Sequence, residues 1–151
     1  MNRALAAVTL MFLIAGVPFL SAQDSASPSI LKGVFTKEQA DRGQKLYETH
    51  CSECHGEKLI GGEATGLTGV QFRVGWVGKT LGERFDVISK SMPASNPQAL
   101  NDQEHLDVIT YILNFNGYPA GDTELKPDMD LLNKIKIEPP PTSPPSAPPA
   151  Q

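Results

Sequence analysis

The sequence predicts an all-α fold: a small domain of three or more helices with long loops between them. Three observations carry that expectation. Three capping signals each open a stretch whose apolar residues recur at helical spacing. No strands are evident. A run from Gly56 to Gly78 holds many glycines and no helical period, so it reads as loop.

The chain has 151 residues, enough for one domain, and its two ends differ in composition from its middle. Residues 1–22 read as a signal peptide: Arg3 near the start, an apolar run from Ala4 to Leu20, then Ser21-Ala22 before polar Gln23. The rival is an uncleaved membrane anchor. Seventeen residues reach only ~25 Å as a helix, short of a ~30 Å hydrocarbon core, and Pro18 interrupts them. Cleavage after Ala22 is therefore expected, giving an exported, soluble, periplasmic protein, with membrane contact only if the signal stays. Residues 23–35 form a leader, 36–121 the domain and 122–137 an extension. Residues 138–151, with seven prolines, should be a disordered tail.

Within the domain, Thr36 with Gln39 makes a capping box, and Ala40, Gly43 and Tyr47 share one face of a helix running toward His50. A second helix opens at Thr80 with Glu83. Its stripe of Leu81, Phe85 and Ile88 points on toward Met92. A third opens at Asn101 with Glu104, buries Leu106, Ile109 and Leu113, and stops at Asn116-Gly117 and Pro119. Three short helices offer a thin core, and a loop as long as 56–78 needs something to pack against. The sequence reads as if built around a large apolar body that is not protein.

Cys51-Ser52-Glu53-Cys54-His55 supplies that body. It is C-x-x-C-H, the pattern of covalent haem attachment. Two thiols three residues apart at a helix end can add to the two vinyl groups of one haem, and His55 is directed under the iron as an axial ligand. The chain has only these two cysteines. A structural zinc site wants four ligands, and His50 and His105 form no second pair. A thioredoxin-like pair would open a helix in a βαβ unit, and a plain disulfide would leave His55 unexplained. The sixth ligand is more open: Met92, Met129, His50, His105 or none. Met92, with Pro93 stiffening its loop after the second helix, is the expected one. Met129 sits in an acidic late segment, His50 should point away from the iron, and His105 is placed on the polar side of the third helix.

The chain resembles the class I monohaem cytochromes c over about Thr36 to Gly121. The likeness rests on Gly43 and Tyr47, the haem motif, Met92-Pro93 and Tyr111 on the last helix. It implies a cytochrome c fold around one covalent haem c, with the first and last helices crossing closely at a glycine such as Gly43. A narrower likeness, from Trp76 through Thr80, Phe85, Met92-Pro93 and Pro97 to Tyr111-Ile112-Leu113 and Asn116–Gly121, is to cytochrome domains accompanying quinoprotein (PQQ) dehydrogenases. It implies such an enzyme as partner. The family often carries a proline whose carbonyl accepts the proximal His N–H. Here Thr65-Gly66-Leu67 has no proline. Trp76 is either a propionate donor or a core aromatic.

Formal charge is −4, and about −5 without Arg3, which argues against nucleic acid. No nucleophile–base pair suggests catalysis. His/Met ligation leaves no substrate site on the iron, so the expectation is a carrier, not an enzyme. It would take electrons from a dehydrogenase and pass them to a terminal oxidase or another cytochrome. The alternatives are a haem enzyme or sensor with an open sixth position, and an interaction protein whose tail is the point.

Overall fold

The computed structural model describes residues 28–141. The expected signal over 1–22 and its cut, the first residues of the leader, and the tail from 142 on lie outside the described residues. The order is α1 (Lys37–His50), α2 (Ser52–His55), α3 (Gly69–Trp76), α4 (Leu81–Ser91), α5 (Asp102–Phe115) and α6 (Met129–Leu132), preceded by a 3₁₀ turn at Ile30–Lys32. Among the described residues the only strand-like pairing is one antiparallel bridge, Thr80 with Lys136. This is the small all-α cytochrome c fold that the sequence predicts.

Helices α4 and α5 start where the capping residues direct. Thr80 and Asn101 each accept the backbone N–H three residues on, and Glu83 and Glu104 reach back to the cap N–H groups. At α1 only half the box forms. Thr36 accepts from Gln39 N–H, but the Gln39 amide is buried and turns away toward α5. There Gln39 Nε2 donates to Asp107 Oδ1 and to Leu125 O, both at 2.9 Å, while its oxygen accepts from Leu125 N–H. Arg42 and Gln103 also donate to Asp107. A buried carboxylate is stable only with such donors, so this cluster pins α1, α5 and the segment after Gly121 together.

Helix α5 is the axis of the domain, since every residue from His105 to Leu113 is buried. Helix α1 crosses it at Gly43, where a Cβ would stand 1.9 Å from Asp107 O, and Tyr47 meets Tyr111 with ring centroids 5.3 Å apart. The close crossing at Gly43 is present as the family likeness implies.

Residues 56–78 are not all loop. The segment ends in α3, which the sequence analysis did not predict, because Gly69 and Gly75 dilute its helical period. Tertiary packing overrides weak propensity here. Phe72 and Trp76, one turn apart, are buried and stack at 5.2 Å, each burial worth about 1.5–3 kcal/mol, while Val70 and Val74 face outward. Thr68 and Leu67 are tied to Asn116 at the end of α5.

The core is thicker than three helices suggest because the flanks join it. Ile30 and Phe35 before α1, and Leu125, Leu132, Ile135 and Ile137 after α5, are all buried in the one hydrophobic cluster. Leu81 N–H donates to Ile135 O, Gly78 N–H to Ile137 O, and Ile137 N–H to Lys79 O, at 2.8–2.9 Å. These bonds lash the 122–137 segment to the start of α4. No helix among the described residues is long and apolar enough to cross a membrane.

Candidate haem site

Cys51 closes α1, and its carbonyl accepts the N–H groups of Cys54 and His55, at 3.3 and 2.9 Å, so the C-x-x-C-H segment is a single helical turn. The two thiols therefore project one turn apart on the same side. Neither is in a disulfide. Cys51 is half-buried against the core, and Cys54 is exposed. Burial, and secondarily the neighbouring Cys54, pushes the Cys51 thiol up to about 11, which keeps it protonated at neutral pH.

The loop after the motif folds back to hold that turn. Ala64 N–H donates to Cys54 O at 3.0 Å, Gly61 N–H to His55 O at 2.9 Å, and Tyr47 Oη to Gly56 O at 2.7 Å. Gly56 has φ +79° and its absent Cβ would lie 2.8 Å from Gly61 O, so the reversal needs glycine. The imidazole of His55 is oriented by the same loop. Its Nδ1–H donates to Thr65 O at 2.7 Å, which leaves Nε2 with no protein partner among the described residues. The carbonyl that the family takes from a proline comes here from Thr65. That pairing is what an axial histidine needs, because a ligand's second nitrogen sets its orientation and basicity.

Met92 stands at the end of α4, half-buried, after the stripe of Leu81, Phe85 and Ile88. Ile88 and Cys51 pack against the same hydrophobic cluster, so the two candidate ligand segments approach one core. No hydrogen bond joins Met92 to the C-x-x-C-H turn among the described residues. Its backbone is tied elsewhere: its N–H donates to Ile88 O at 2.9 Å, and its carbonyl lies 2.8 Å from His105 Nε2. Met129 lies on α6 and is exposed, and His50 ends α1. His105 departs from expectation. It is 2% exposed, not on a polar face, because it lies one turn before Ile109 and so on the edge of the buried stripe. That i, i+4 spacing is the signal that would have placed it.

Arg84 was missed altogether. It shares the face of Leu81, Phe85 and Ile88, and its Nε is buried without a partner. A cation on an apolar stripe was the available signal. A buried guanidinium donor with nothing to bind suits an acidic group not supplied by the protein. Trp76 is a core aromatic stacked on Phe72, and no protein acceptor takes its indole N–H among the described residues. The donor set thus fits a haem: two thiols on one turn, an oriented imidazole with a free nitrogen, and an orphaned donor for a carboxylate. No cluster of three or more His, Cys, Asp or Glu side chains able to hold a metal ion by themselves occurs among the described residues.

Residues 38–112 match the family model described as "Cytochrome C oxidase, cbb3-type, subunit III". No curated protein and no solved structure matches the chain. The matched stretch is a cytochrome c domain and spans α1 through most of α5, with the whole C-x-x-C-H turn and Met92 inside it. Such a domain implies a haem c cofactor and redox partners. The match gives no link to quinoprotein dehydrogenases.

Proposed function

We propose that this chain, whose residues 38–112 form a cytochrome c domain, is an exported single-haem electron carrier and not an enzyme. The observation that carries the reading is the C-x-x-C-H turn, with His55 Nδ1 held by Thr65 O and Nε2 without a protein partner among the described residues. Bound there, the haem supplies reversible one-electron chemistry. Cys51 and Cys54 would hold it by thioether bonds, and His55 Nε2 and the Met92 sulfur would ligate its iron. Arg84 Nε and the Trp76 indole are the donors available to its propionates.

The chain's own contribution is rigidity and exclusion. The carbonyls of Cys54, His55 and Gly56 are paired with donors outside the turn, which restrains it when the charge changes. With His55 and Met92 both on the iron there would be no place for a substrate, which would favour transfer over catalysis. The signal peptide expected over residues 1–22 supports export. The partners are redox proteins: a dehydrogenase as donor, and a terminal oxidase or another cytochrome as acceptor.

The test is the mature protein made with a c-type maturation system. Its mass should exceed the polypeptide by one haem, and acid–acetone extraction should leave the colour with the protein. Extractable colour would refute covalent attachment. Carbon monoxide should leave the reduced spectrum unchanged. Ready binding would replace the carrier with a haem protein whose sixth position is open. Co-purification from the native source identifies the donor and acceptor.

A further inference from the structure

Met92 is held by its backbone at both ends, on two different helices. Its N–H is the last donor of α4, to Ile88 O at 2.9 Å, and its carbonyl meets His105 Nε2 of α5 at 2.8 Å. No other donor reaches that carbonyl among the described residues. His105 is 2% exposed, so the donor side of this bond is buried.

The proton on the ring can be placed. Nδ1 of His105 lies 3.0 Å from Asn101 O, but that carbonyl already accepts the backbone N–H of His105 at 2.9 Å. Met92 O has only the imidazole. Each neutral tautomer sets one ring lone pair against a carbonyl, the Nδ1–H form at Met92 O and the Nε2–H form at Asn101 O. The contact to Met92 O is the shorter and that carbonyl has no other donor among the described residues, so the proton is assigned to Nε2. Asn101 is in turn the cap of α5, with a complete capping box that fixes where the imidazole stands.

We propose that His105 is a positioning residue for the axial methionine: its Nε2–H holds the Met92 carbonyl and so sets how readily the thioether leaves the iron. The proposal rests on Met92 being the sixth ligand. The chain thus steers each axial ligand by one imidazole-to-carbonyl bond. His55 donates to Thr65 O on the histidine side, and His105 donates to Met92 O on the methionine side. The first orients a ligand ring directly, whereas the second acts one residue removed, through the backbone that carries the ligand.

The experiment uses the holoprotein and exogenous imidazole as the probe, which competes with Met92 for ferric iron. His105→Phe keeps a buried ring and removes the donor. It should raise imidazole affinity about tenfold, the equivalent of ~1.4 kcal/mol and near the upper end for one neutral hydrogen bond. His105→Gln keeps a donor at similar reach and should return affinity to within about threefold of wild type. Gln39→Leu, which cuts the clamp at Asp107, should lower stability and leave imidazole affinity alone.

Equal imidazole affinity in wild type and His105→Phe overturns the proposal, as does an equal rise in Gln39→Leu, which would mean general loosening. If His105→Phe does not fold, the unmodified ferrous protein still decides by nitrogen-15 NMR. A protonated Nε2 with slow exchange supports the proposal, and a bare Nε2 refutes it. Met92→Ala separates the two readings. If it leaves the ferric Met–iron band in place, the ligand assignment has failed and this proposal with it. If the band is lost while His105→Phe behaves as wild type, only the positioning role has failed.

Discussion

Gly43→Ala should destabilise the protein by about 3 kcal/mol, although alanine is the better helix former. The added Cβ would lie 1.9 Å from Asp107 O, 2.4 Å from Asp107 C and 3.0 Å from Tyr111 Cβ. A carbon–oxygen contact needs ~3.3 Å, so α1 and α5 would have to separate by roughly 1.4 Å. Backbone lies on both sides, so no side chain can swing away to absorb the overlap. Overpacking of this kind costs about 1–3 kcal/mol. The same movement stretches the 2.9 Å bonds from Gln39 and Arg42 to buried Asp107 beyond hydrogen-bond range, which costs about another 1–3 kcal/mol. Helix propensity returns only ~1 kcal/mol. The assay is guanidinium unfolding of the holoprotein, with an expected fall of about 1 M in midpoint at unchanged slope. Gly75→Ala is the control, because nothing lies within 4 Å of its absent Cβ and its backbone is not left-handed; it should be neutral or stabilising by up to ~1 kcal/mol. A neutral Gly43→Ala would show that the helices do not need this contact.

Three further outcomes are expected. Met92→His should lower the midpoint potential, since a neutral thioether favours ferrous iron. Met92→Ala should open the iron to carbon monoxide, while Met129→Leu, exposed on α6, does neither; potentiometry and reduced spectra check all three. Glu83→Gln should destabilise at neutral pH and lose that effect in acid. The Thr80 backbone N–H, donating at 2.6 Å, holds the Glu83 carboxyl below its ordinary value of 4.5, so its contribution is complete above that value and vanishes as pH falls through the lowered one. A stability gap between the two proteins that does not shrink as the pH falls below 4.5 would refute this. Truncation after Pro141 should leave the reduced spectrum and the unfolding midpoint unchanged. Truncation after Gly121 should abolish folding, because it removes four buried side chains, Leu125, Leu132, Ile135 and Ile137, each worth about 1.5–3 kcal/mol; circular dichroism distinguishes the two.

Legibility in this sequence follows the range of the interactions. The C-x-x-C-H turn, its two thiols and its histidine are a five-residue pattern, readable without any fold. The three capped helices were readable too, because a cap and a stripe lie within one element. Helix α3 was hidden by its glycines, since the burial of Phe72 and Trp76 that forms it comes from outside the segment. Thr65 could not be singled out. Its role is carried by a carbonyl, which every residue possesses, and only the path of the loop brings that carbonyl to His55.

The methionine side shows the same rule in the opposite sense. Everything that holds His55 lies between Tyr47 and Thr65, so the histidine side is a local structure. What holds Met92 is drawn from across the chain. Helix α4 is fixed at its start by Ile135 and Ile137, and it is joined at its end to α5 through His105. Helix α5 is also clamped to α1 and Leu125 through Gln39 and Asp107, which supports the domain without touching the methionine loop. The sequence could propose Met92 from Pro93 and the stripe before it, but it could not supply these partners. Nor could it show that the segment 122–137, which lies outside the matched stretch, closes the core on which the methionine loop depends. A substitution in that segment can therefore alter the iron's surroundings while leaving the haem-attachment motif untouched.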